Sequence, residues 1–155
     1  MKYFICDDVN EKEFYKLEQL KEKFPDLKVN CFVMGKDAGD YLKKGWIEIG
    51  VHGWEHTYPP ECERINQKDY IIKGLEALRP YLPEKFGFRA PGFQITALTY
   101  PILKDLGFCF IAHQFRIQSL NSKEFKQGEI INTHIYDKDF GELNGTFNFL
   151  QEGLN

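Results

Sequence analysis

The chain alternates short, β-branched apolar runs with longer amphipathic stretches, and few folds accept that order. Strand-like runs span Lys2 to Cys6, Lys28 to Met34, Trp46 to Val51, Phe86 to Arg89, Phe108 to Ala112 and Glu129 to Ile135. Apolar residues at helical spacing fill Glu11 to Phe24, Asp37 to Lys44, Gln67 to Tyr81 and Thr96 to Leu106. Phe14, Leu17, Leu20 and Phe24 share one face of the first helix, and Tyr70, Ile71, Leu75 and Leu78 one face of the third. Asn10 can cap the first helix, Gly45 and Gly107 close the second and fourth, and Pro101 falls where a first helical turn tolerates it. Thr57 to Asn66 reads as a loop, and Phe115 to Phe125 carries no clear period. Asn144-Gly145 marks a turn before a short last strand, Thr146 to Leu150. Strands alternating with helices predict an α/β fold, a mostly parallel sheet with helices outside it, open or curled into a barrel.

Length sets the scale. A chain of 155 residues is expected to form one domain, 1–155, and to bury about two thirds of its unfolded surface. Hydrophobic residues at 43% and aromatics at 15% suit a packed interior and exclude general disorder. The net charge of -3, without a basic tract, argues against nucleic acid as a partner. No run is long enough to span a membrane, and Asp7-Asp8 cuts the first apolar run too short for a signal peptide, so a cytoplasmic protein is expected. None of the four cysteines forms a Cys-x-x-Cys pair, and Cys6, Cys31 and Cys109 read as small buried thiols. Nothing in the pattern specifies an oligomeric state.

Chemistry gathers where the strands end. Asp7-Asp8 closes the first run, His52 and His56 the third, Arg89 the fourth and His134 the sixth. In α/β folds the carboxyl ends of strands are where ligands bind. Two imidazoles and one carboxylate form a common catalytic metal shell that leaves a position open. Adjacent acids on a strand end diverge, so one can bind a metal while its neighbour stays free as a base. An arginine can hold a carboxylate ionised and oriented. His134 can serve as general acid, and His113, at the end of the fifth run, is its rival.

In that order, Asp7-Asp8, His52-x-x-x-His56, Arg89-x-Pro91 and His134 resemble the motifs of the NodB-type polysaccharide deacetylases, carbohydrate esterase family four. The resemblance runs from the first strand to about His134. It implies a distorted, incomplete (β/α) barrel and a metal-dependent hydrolase that removes N-acyl groups, usually N-acetyl, from amino sugars. It implies Asp7 as general base, with Arg89 holding it, and His134 as the acid that protonates the leaving amine. Asp8, His52 and His56 would bind one divalent metal, zinc first, with cobalt, nickel or iron also accepted.

Departures from the family pattern shape the remaining expectations. Asn132 stands where the family usually has a leucine that lines the acyl pocket, so a reshaped pocket is expected. The family's Asp-x-x-Asp-Trp motif is missing between Phe108 and Glu129, and His113 lies there instead. Trp54 can replace the missing aromatic wall, and Trp54, Pro91 and Asn132 are the candidate substrate contacts. The chain is short for the family, so trimmed barrel elements are expected. The implied partner is an N-acylated sugar or sugar conjugate. Two other readings stay open: hydrolysis of a small non-sugar amide on the same site, and a catalytically weak relative that binds glycan or metal.

Overall fold

A computed structural model describes residues 1–122, 125–126 and 128–154. Eight strands form one sheet: β1 (Lys2–Asp7), β2 (Val29–Val33), β3 (Ile47–Val51), β4 (Gly87–Phe88), β5 (Phe110–Ala112), β6 (Ile117–Ser119), β7 (Phe125–Lys126) and β8 (Glu129–His134). Their order is β7-β6-β5-β4-β3-β2-β1-β8. Pairing is parallel from β8 through β1 to β5, and antiparallel across β5, β6 and β7. The sheet curls into an incomplete, distorted barrel with α1 (Tyr15–Lys23), α2 (Gln67–Leu78) and α3 (Thr99–Asp105) outside it. No helix of the described residues is long and apolar enough to cross a membrane.

Strand alternation sorts the side chains into two layers. Phe4, Cys6, Val29, Cys31, Val33, Ile49 and Val51 face the helices and pack with Leu17, Ile71, Leu75, Leu78 and Leu103. Tyr3, Ile5, Phe32, Phe110, Ala112 and Ile117 form a second cluster on the concave side. Gly50 and Gly87 leave room there for the rings of Phe32 and Phe110, which occupy the space a Cβ would need. Asp7 shares the concave parity of Tyr3 and Ile5, which is how β1 delivers it to the inside of the barrel.

The C-terminal segment crosses the start of the strands and covers that end of the interior. Leu150 joins the concave cluster. The buried Asn30 of β2 accepts from Leu150 N at 2.8 Å and donates to the carbonyls of Phe4 and Asn148 at 3.2 and 3.1 Å. The expected strand Thr146 to Leu150 is therefore corrected: the segment is irregular, ending in a 3-10 turn at Leu150–Gly153, held by the Asn30 side chain and by Asn148 N donating to Lys2 O at 2.9 Å rather than by a ladder.

Two other assignments change. Asp37 to Lys44 is not a helix but two 3-10 turns, Gly35–Asp37 and Asp40–Leu42, separated by fully extended backbone at Gly39. Within Thr57 to Asn66, a 3-10 turn at Glu61–Glu63 buries Glu61 and Cys62. Asn10 caps as expected, its Oδ1 accepting from Glu13 N at 3.1 Å, but a turn intervenes and regular helix begins only at Tyr15. The unassigned stretch Phe115 to Phe125 supplies β6 and the start of β7, while residues 123 and 124 lie outside the described residues. Cys6 and Cys31 are buried thiols as expected, whereas Cys109 is half-buried.

Glu48 is a cost built into this closure. It is 8% exposed on the concave side of β3 and accepts from Gln151 N at 3.4 Å. Burial pushes its pKa up to about 7. A carboxyl raised in the folded state contributes stability that is fully present below its unfolded pKa and lost as pH rises through the folded one. Glu48→Gln is expected to flatten the decline in stability between pH 4.5 and 7. Above pH 7 it should add on the order of 2–3 kcal/mol, read from urea unfolding at pH 5 and pH 8.

Candidate active site

Each strand end extends its ladder by one bond, and this brings the distant residues together. His52 N donates to Val33 O at 2.9 Å, Arg89 N to Val51 O at 2.9 Å, and Ile135 N to Asp7 O at 3.0 Å. Asp7 and His134 are direct register partners across β1 and β8. Asp7, Asp8, His52, His56, Arg89 and His134 therefore meet at the carboxyl end of the sheet.

Arg89 is completely buried, at 0% exposure, and every arm of its guanidinium is used. Nε donates to Asp7 Oδ2 at 2.9 Å and Nη1 to His113 O at 3.1 Å, while Nη2 donates to Asn132 Oδ1. The rings of Phe93 and Phe32 lie 4.6 and 5.7 Å from it, placing the cation against aromatic faces. Asp7 is 2% exposed, and its second oxygen, Oδ1, is buried without a hydrogen-bond partner among the described residues. One oxygen is thus locked while the other keeps its lone pairs.

Asp8 turns away from Asp7. Its φ of 58° is left-handed, a conformation Asp tolerates better than most residues and one that clusters at functional sites. Asp8 Oδ1 lies 3.0 Å from His56 Nε2 and 3.4 Å from His52 Nε2, and the two nitrogens are 3.1 Å apart. Ligands bound at about 2.0–2.1 Å around a tetrahedral ion stand roughly 3.3 Å from one another, so these atoms already have the spacing of a metal's shell. His52 Nδ1 donates to Arg89 O at 2.7 Å, since a carbonyl only accepts, and this leaves Nε2 as the lone-pair nitrogen. Asp8 Oδ1 is buried and makes no hydrogen bond of proper geometry to either ring. Burial pushes the Asp8 carboxyl up, but the two imidazoles outweigh it and hold it well below the usual range. Burial likewise opposes charge on His52, and Asp8 and Asp7 prevail, so its pKa is raised. The three donors fit a cation.

The two candidate acids sit differently. The His113 ring pairs Nε2 with Gln118 Oε1 at 2.9 Å, and burial lowers its pKa. His134 stacks on Tyr136, ring centroids 4.9 Å apart, with Nδ1 3.8 Å from Asp137 Oδ2. Of the candidate substrate contacts, Pro91 packs against Gly53, and Trp54 lies over Gly35 with Lys73 Nζ 4.1 Å above its ring. Asn132 bonds Arg89 and donates to Gln114 O at 2.7 Å. A cavity of about 480 Å³ opens beside Asp8 and His56, lined also by Met34, Lys36 and Tyr136.

Glu61 was not legible as a site residue. It is 1% exposed, and its two oxygens accept from Trp54 N at 2.9 Å and Glu55 N at 2.7 Å. Burial raises its pKa, and those two N–H groups oppose the shift without cancelling it. A local hint was Cys62, an apolar residue set between Glu61 and Glu63.

No family model and no curated protein sequence matches the chain. Solved structures do. A family 4 carbohydrate esterase from Streptomyces lividans, in complex with acetate, matches with TM-score 0.67 and 13% identity over 89% of this chain and 80% of that one. A family 4 acetyl xylan esterase from Clostridium thermocellum, in complex with a cobalt ion, matches with TM-score 0.52 and 17% identity over 65% of this chain. There the chain spans 53% of the esterase's length. A family 4 pseudoenzyme from Bacillus anthracis matches with TM-score 0.63 and 15% identity over 87% of this chain and 54% of that one. The chain therefore has the fold of the NodB-type family 4 carbohydrate esterases.

Proposed function

We propose that the chain, residues 1–155 acting as one catalytic domain, is a metal-dependent hydrolase of the family 4 carbohydrate esterase type. It removes an N-acyl group, N-acetyl above all, from an amino sugar or sugar conjugate. The observation that carries this reading is the buried, unpaired Asp7 Oδ1 beside three converging ligand atoms, Asp8 Oδ1, His52 Nε2 and His56 Nε2.

Asp8, His52 and His56 would hold a divalent ion, zinc being well suited to one carboxylate and two imidazoles. Such an ion supplies Lewis acidity, lowering the pKa of water and polarising the acyl carbonyl. Asp7 Oδ1 takes the proton of the attacking water, while Arg89 keeps Oδ2 occupied so that the free lone pair points one way. His134, across the β1–β8 register from Asp7, donates a proton to the leaving nitrogen, which departs poorly as an anion. His113 is the weaker candidate, because its ring is engaged by Gln118 and burial disfavours its charged form. The cavity beside His56 has room for a sugar ring, and Tyr136 and Met34 offer it apolar contact. The likeness to a pseudoenzyme supports one second reading, binding of glycan or metal without turnover.

The test is elemental analysis of the wild type and a His52→Ala, His56→Ala variant, with acetate release from N-acetylglucosamine oligomers. One equivalent of zinc and measurable release in the wild type, both lost in the variant, is the expected result. No metal after incubation with zinc would overturn the reading. Bound metal without release from any acylated substrate would favour the pseudoenzyme alternative.

A further inference from the structure

We propose that Glu61 is the positioning residue of the metal-binding loop: its carboxylate bridges the two amides between the histidines and so presets their spacing. The inference rests on the metal-dependent reading above.

The loop from His52 to His56 needs a brace. His52 is anchored by the sheet through Val33 and by Arg89 O through its ring. His56 has neither anchor, and its side chain is 44% exposed. Between them lies Gly53, at φ 70°, the residue type with the greatest backbone freedom. The brace comes from both sides. Gly53 O and Trp54 O accept from Gly35 N and Lys36 N at 2.9 and 3.1 Å. Trp54 N and Glu55 N, the amides just before His56, both donate to Glu61.

Glu61 has no other evident occupation. No lysine or arginine among the described residues forms an ion pair with it. A carboxylate buried without a cation costs several kcal/mol, and two charge-assisted bonds to backbone N–H groups are what offset it. Its Oε2, with Pro91, also fills the space where a Cβ of residue 53 would stand, so the glycine and the glutamate require each other. On the far side Gly74 of α2 lies so close to Gly53 O that a Cβ there would collide with it. The loop is thereby gripped at its amides, its carbonyls and its back, with the Glu61 side chain holding two of its amides at once. A negative charge at this place also favours positive charge at the histidine pair, which is where a bound cation would lie.

The experiment is cobalt titration, followed by visible absorption, of the wild type, Glu61→Gln and the exposed neighbour variant Glu63→Gln. Glutamine keeps the length but turns an NH2 group toward one of the donating amides. In a folded Glu61→Gln protein, cobalt affinity is expected to fall about 10–100-fold with an altered absorption envelope. Glu63→Gln should match the wild type. Equal affinity and an unchanged spectrum in Glu61→Gln would overturn the proposal. Should Glu61→Gln not fold, amide exchange in the metal-free wild type decides: Trp54 and Glu55 protected supports the proposal, and both exchanging as free loop overturns it. A wild type that takes up no cobalt would overturn the metal reading itself, and that failure shows before any variant is compared.

Discussion

Asp7→Asn is expected to lower turnover about 10²–10⁴-fold while leaving one equivalent of metal bound. The reason is the division of labour between adjacent acids. Asp8 faces the two histidines and Asp7 faces Arg89, so amidating Asp7 leaves the three ligand atoms untouched. Asparagine can still accept from Arg89 Nε through its oxygen. What it loses is the basic lone pair at the position of Oδ1, the atom that is buried with no partner. Steady-state kinetics of deacetylation together with elemental analysis check both halves. Turnover close to wild type would remove Asp7 from the role of base, and loss of metal would show that the two acids do not act separately.

Arg89→Met should be the most destabilising single change at the site, by about 3–5 kcal/mol. A methionine of similar length fills the volume but strands three acceptors that the guanidinium serves: Asp7 Oδ2, His113 O and Asn132 Oδ1. The largest part is Asp7, whose carboxylate would remain buried with no cation beside it. That attribution has its own check. Adding Asp7→Asn to Arg89→Met removes the stranded charge, and urea unfolding should then recover a large part of the loss. If the double variant is as unstable as Arg89→Met alone, the penalty comes from lost packing against Phe32 and Phe93 instead.

The strand ends were legible because their cause is local. Ile47-Glu48-Ile49-Gly50-Val51 is a β-branched run stopped by His52-Gly53, and the same grammar marks Asp7, Arg89 and His134. Their convergence followed from the parallel topology that alternating strands and helices impose. What escaped was non-local. That His134 is the register partner of Asp7 depends on the β1–β8 pairing, which no local pattern states. Glu61 looked like one more charge in a proline-rich loop, since its partners are backbone amides and leave no residue pattern. Asn132 reads as a polar substitution for an apolar wall, and only the folded chain shows that it bridges Arg89 and the carbonyl of Gln114. Asp37 to Lys44 has helical composition, but the extended backbone at Gly39 divides it into two turns.

The pairing of β1 with β8 also governs when the site can exist. Asp7 precedes every other residue of the site in the chain and His134 follows them all, yet they sit side by side in the sheet. Strands β1 to β5 can assemble as they emerge from the ribosome, with Asp7, Arg89 and the histidine loop in place. His134, the proposed proton donor, arrives only when β8 docks along the edge of β1. On the proposed mechanism a nascent chain would hold the three candidate metal ligands well before it holds His134, and hydrolysis would wait until synthesis has passed β8.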